Sequence, residues 1–112
     1  MNYIYFEAGN KSYKLRLNTR NIVALEKSIG CNPVAIFFEK DGNERVPTIT
    51  EMVAVLHASL QQYNHGISMN DAFDIFDDFI AEHSTMEFIK VIMEIYQASG
   101  LMPKNEEEAK NA

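Results

Sequence analysis

The chain has a single cysteine, Cys31. One thiol excludes an internal disulfide and cannot form half of a redox or zinc pair, so the fold has to be held by packing. No stretch approaches the ~18 uncharged apolar residues of a membrane span. The opening Met1-Asn2-Tyr3-Ile4-Tyr5 has neither the basic region nor the small-residue cleavage site of a secretory signal, and a cytosolic protein is expected. Basic residues are also scarce: ten Lys and Arg stand against sixteen Asp and Glu, a net charge of −6. A phosphate-backbone partner calls for clustered Lys and Arg, so neither nucleic acid nor membrane is expected as a partner. The H-E-x-x-H, C-x-x-C, G-x-S-x-G, P-loop and dinucleotide-binding patterns are missing too, and His57, His65 and His83 fall in none of these contexts. With no base, nucleophile and orienting group in one pattern, no catalytic residue, metal ligand or cofactor site is assigned, and a binding protein is expected rather than an enzyme.

What is present fits one soluble domain: 112 residues, 46% hydrophobic and 23% charged. Tyr3 to Leu17 alternates around Gly9-Asn10 and reads as a β-hairpin. Pairing Ala8 with Lys11 sets Phe6 opposite Tyr13 and Ile4 opposite Leu15 on an apolar face. Tyr5 then meets Lys14, and Tyr3 meets Arg16, on the other face. A lone hairpin is marginal in water, so the apolar face must rest on helices.

The first helix starts at an Asn18 or Thr19 cap, presents Ile22, Leu25 and Ile29, and stops at Gly30. A second, short helix is expected from Val34 to about Glu39 behind an Asn32 cap and Pro33, with Ile36, Phe37 and Phe38 apolar. Thr48 with Glu51 makes a capping box for a helix to about Tyr63, whose expected core stripe is Ile49, Met52, Val53, Leu56, Leu60 and Tyr63. Val55 and Ala58 are left on its far side. Ser68 with Asp71 opens a helix to about His83, with Met69, Ala72, Phe73, Ile75, Phe76, Phe79 and Ile80 on one wide face. Ser84 with Glu87 opens the last helix, to Ser99, ended by Gly100 and Pro103. The expected architecture is therefore α+β and mostly α. Residues 1–102 make one domain, a hairpin packed on about five helices, and 103–112 form a flexible acidic tail.

Two surfaces draw attention. Asp71, Asp74, Asp77, Asp78 and Glu82 give the stretch 69–83 five acids and no base, on the face opposite its apolar one. They lack the glycine-containing alternation of a calcium loop and read as a solvated or partner-facing row. The last helix is apolar around most of its circumference, more than one side of a small bundle can hide, and self-association is expected there. Phe88, Val91 and Ile95, close in direction at helical spacing, are the expected contacts. Asp71, Asp74, Asp78 and Glu82 complete the candidate partner-binding set. Met52, Met69, Met86 and Met93 on helices add thioethers suited to surfaces that repack against apolar partners.

The Tyr13-Lys14-Leu15-Arg16-Leu17 strand, the Leu25-Glu26-Lys27-Ser28-Ile29-Gly30 helix end, the Val55-Leu56-His57-Ala58-Ser59-Leu60 helix and the acidic-then-apolar helix pair up to Gly100 resemble the tail assembly chaperones of long-tailed, non-contractile bacteriophages, over about residues 1–100. The resemblance implies a chaperone of the host cytoplasm, not part of the mature virion, that binds the tape measure protein, keeps it soluble and helps recruit tail tube protein. It also implies two products related by a −1 ribosomal frameshift. Ala109-Lys110-Asn111 and Pro103-Lys104-Asn105 can both be encoded through the slippery heptamer A-AAA-AAC. A reading from a different class is an acidic inhibitor or antitoxin, whose carboxylate row imitates a phosphate backbone and neutralises a basic protein.

Overall fold

Strands β1 (Ile4–Ala8) and β2 (Lys11–Leu15) pair antiparallel in the expected register, Ile4 with Leu15, Tyr5 with Lys14, Phe6 with Tyr13 and Ala8 with Lys11. Gly9 turns the chain at φ 62°, a left-handed angle that costs a glycine little. The computed structural model describes residues 2–104, so most of the expected tail, 105–112, and the Ala109-Lys110-Asn111 site lie outside the described residues. Phe6, Leu15 and Leu17 are buried, and Ile4 and Tyr13 are partly buried against the same core. The strand exit is tied down twice: the Arg16 amide donates to the Ser59 carbonyl over 3.0 Å and the Leu17 amide to Ser99 Oγ over 2.9 Å. The outer face keeps its rings and cations, with Lys14 Nζ 4.9 Å from the centre of the Tyr3 ring.

Among the described residues four α-helices follow: α1 (Thr19–Ile29), α2 (Ile49–Leu60), α3 (Met69–Ile80) and α4 (Thr85–Ala98). Their starts follow the side-chain chemistry of the sequence. Asn18 caps α1, and Thr48–Glu51, Ser68–Asp71 and Ser84–Glu87 form complete capping boxes on α2, α3 and α4. Gly30 closes α1 in the left-handed region at φ 75°.

Three expectations are corrected. The segment after Pro33 is a 3-10 helix, Pro33–Phe37, rather than an α-helix to Glu39. Phe38 turns to extended backbone there, pairs with Glu44 in an isolated bridge and points outward, 44% exposed. The stripe drawn on α2 is too narrow: Val55 and Ala58 are buried, while Ile49 and Tyr63 are exposed. This helix packs against β2, α1, α3 and α4 together, so its middle is enclosed all round and only its ends reach solvent. Tyr63, past the last turn, stacks edge-on against Tyr3 of the hairpin with ring centres 5.4 Å apart. On α3, Phe73 is exposed, at the margin of a face whose centre is Ala72, Ile75, Phe76 and Phe79.

Candidate protein-docking groove

The faces of α4 sort by size. Phe88, Ile92, Ile95 and Tyr96 recur at i, i+4, i+7 and i+8 and are fully buried. Phe88 is enclosed by aromatic rings, Phe76 at 5.1 Å, Phe79 at 5.6 Å and Phe6 at 5.9 Å between centres, in edge-to-face contacts. The expectation that Phe88, Val91 and Ile95 form an exposed contact patch is therefore corrected: Phe88 and Ile95 are core and Val91 is half-buried. Both residues share the direction of the larger apolar stripe, and the larger stripe goes inward because it removes more area from water.

What stays outside is the thinner stripe of Met86, Ile89 and Met93, which lie within about 60° of one another at helical spacing. Met86 is 59% exposed and Met93 39%. They form one wall of a groove of about 350 Å³. The facing wall is the 3-10 helix and the loop after it, through Val34, Phe37, Phe38, Glu44, Arg45, Val46 and Pro47, and Met102 completes the lining where the chain leaves α4. Val46 is 58% exposed, so the apolar character continues onto the rim.

Local chemistry holds the loop wall in place. The Arg45 amide donates to the Phe37 carbonyl over 2.9 Å, and Arg45 Nη2 donates to Glu51 Oε2 over 2.6 Å. Glu51 works twice, because its Oε1 accepts from the Thr48 amide at 2.8 Å and starts α2. Burial raises the Glu51 pKa, but the Arg45 hydrogen bond and the Thr48 amide outweigh it and hold the carboxyl below its ordinary range. The Arg45 guanidinium is correspondingly raised, first by its hydrogen bond to Glu51. Below this wall the Tyr96 hydroxyl donates to the Pro33 carbonyl over 2.9 Å, fastening the 3-10 helix to α4.

Asp71, Asp74, Asp77 and Asp78 on α3, and Glu82 in the turn after it, are all exposed, as expected. They are not equivalent. Asp71 is occupied by the Ser68 amide, which lowers its pKa, and the Asp78 carboxylate lies against the hairpin tip, 3.4 Å from where a Cβ on Gly9 would stand. Asp71, Asp74 and Asp78 line an open cleft of about 530 Å³ shared with Lys11 and Tyr13, whose hydroxyl pKa is raised by burial and then by Asp78. The acidic row and the methionine groove have no lining residue in common. Sequence reasoning picked out Met86 and Met93 but not Phe38 or Val46, because a loop wall leaves no periodic signal.

Among the described residues the chain is a small α+β fold, a hairpin laid on four α-helices with an apolar groove beside the last. The chain belongs to the family described as DUF6096, a family of unknown function, whose model matches residues 5–112. Neither the search of curated proteins nor that of solved structures found a match.

Proposed function

We infer that this protein is a tail assembly chaperone of a long-tailed phage or prophage, which binds the tape measure protein in the host cytoplasm and keeps it soluble while tail tube subunits are recruited. The observation that supports the reading is the solvent-facing groove walled by Met86, Ile89, Met93, Phe38 and Val46. Unbranched thioethers adapt to apolar helices of differing shape, which is what holding a client before assembly requires. Co-expression with the neighbouring genes tests it. A tape measure protein that is insoluble alone should become soluble and co-purify, in a complex that persists at high salt because the contact is apolar. No gain in solubility would overturn the reading.

The exposed carboxylates of α3 favour a second reading, an acidic inhibitor of a basic protein. Such a complex would form through charge and weaken steeply with salt.

A further inference from the structure

We propose that the groove between α4 and the loop Phe38–Pro47 takes a partner α-helix whose apolar stripe is flanked by lysine or arginine. The proposal rests on the chaperone reading for the existence of a client and adds which surface holds it and what chemistry that surface recognises.

Three observations carry it. The first is what the walls lack. One wall is a helix, whose backbone groups are already paired, and the other is a loop whose strand pairing is the single bridge of Phe38 with Glu44, so among the described residues the groove offers no run of strand edge to an extended peptide. An extended segment entering it would bury unpaired amides and carbonyls, whereas a helix has already satisfied its own. The second is size. A groove of about 350 Å³ accommodates a few large side chains, as a helix presents them at i, i+3 or i+4, and i+7.

The third is charge, and it selects among helices. The groove is lined by two charged residues, Glu44 and Arg45, and Arg45 is held by Glu51 at 2.6 Å. Glu44 is left as the negative group of the lining. Glu94 is exposed beside Met93, and Lys90 is the cation of that stretch of α4. A basic flank complements this surface. A second copy seated groove to groove does not, because Glu44 and Glu94 would meet their own counterparts.

The test uses the full chain and two synthetic amphipathic peptides of about five helical turns, with the same leucine stripe and either lysine or glutamate flanks, read by fluorescence anisotropy. The lysine-flanked peptide should bind at least about tenfold more tightly, and Glu44→Lys should abolish or reverse that preference. Met86→Ser with Met93→Ser, both at exposed positions, should weaken binding of the lysine-flanked peptide about tenfold with little change in the thermal melt. Equal affinity for the two peptides, or binding indifferent to the methionine changes, overturns the proposal. So does a dimer, seen by light scattering of the chain alone, that the methionine changes dissociate, because a second copy is then the occupant. Failure here with continued co-purification of the tape measure protein places the client on another surface and leaves the chaperone reading standing. Failure of co-purification as well removes both.

Discussion

The Tyr96 hydroxyl donates to the Pro33 carbonyl across 63 residues of chain, over 2.9 Å and among buried groups. This bond fixes the distance between the two walls of the groove, because Pro33 begins the 3-10 helix and Tyr96 belongs to α4. Burial pushes the phenol well above its ordinary pKa, so it remains a donor throughout the working pH range. Tyr96→Phe keeps the ring and its edge-on contact with Phe37, at 6.1 Å, and leaves the Pro33 carbonyl with only the Ile36 amide of the 3-10 helix. A loss of about 0.5–1.5 kcal/mol is expected in chemical denaturation. A loss indistinguishable from zero would mean that water replaces the hydroxyl and that the walls are not held this way.

The hairpin gives a paired test of which face is inside. Leu15 is fully buried and Lys14, its neighbour, points outward over Tyr3. Leu15→Asp buries a charge with no partner and should cost more than about 3 kcal/mol, enough to unfold a marginal domain. Lys14→Asp should cost under about 1 kcal/mol, the scale of an exposed cation–π contact. Equal losses in thermal melts would contradict the observed register.

Much of this was legible from residue order alone, and the reasons are physical. The hairpin register follows from period-two alternation around one turn, and the helix starts follow from capping side chains within three residues of the backbone groups they satisfy. These signals are local. Phe88 and Ile95 were misplaced because a helix apolar on two faces does not announce which face meets the core; the aromatic rings of Phe6, Phe76 and Phe79 decide that from far along the chain. Ile49, Tyr63 and Val55 were misplaced because α2 is enclosed by four neighbouring elements along its middle and meets solvent at its ends, which its own periodicity does not show. Phe38 and Val46 lie in a wall whose shape depends on a bridge to Glu44 and an ion pair to Glu51, contacts that no periodicity encodes.

Acid should destabilise the fold through its helix starts. The Glu51, Asp71 and Glu87 carboxyls are all held below their ordinary pKa. For Glu87 the His83 hydrogen bond is the main cause, opposed by burial and joined by the Ser84 amide. A carboxyl depressed in the folded state stabilises it above its unfolded pKa, and that contribution fades as pH falls through the folded value. The melting temperature should therefore hold steady above about pH 5 and decline below about pH 4. Glu51→Gln should flatten that decline, and an unchanged acid limb would remove Glu51 from the account.

Capping and groove should respond separately. Thr48→Ala removes the acceptor for the Glu51 amide and should cost about 1 kcal/mol. Arg45→Ala removes the guanidinium that spans the loop and α2 but leaves the capping box intact. It should speed amide exchange across 38–47 more than it lowers the melting temperature. A loop that exchanges at the same rate without Arg45 would show that the Phe37 and Glu44 backbone contacts suffice.

The most direct measurement of the central claim, that the methionine groove is where a partner docks, is amide hydrogen exchange on the protein alone and in the complex co-purified with the product of a neighbouring gene. Slowed exchange is expected across residues 34–47 and 86–93, with residues 71–82 unchanged. Protection confined to 71–82, on the carboxylate face of α3, with the groove exchanging as before, would contradict the claim and favour a charge-driven inhibitor.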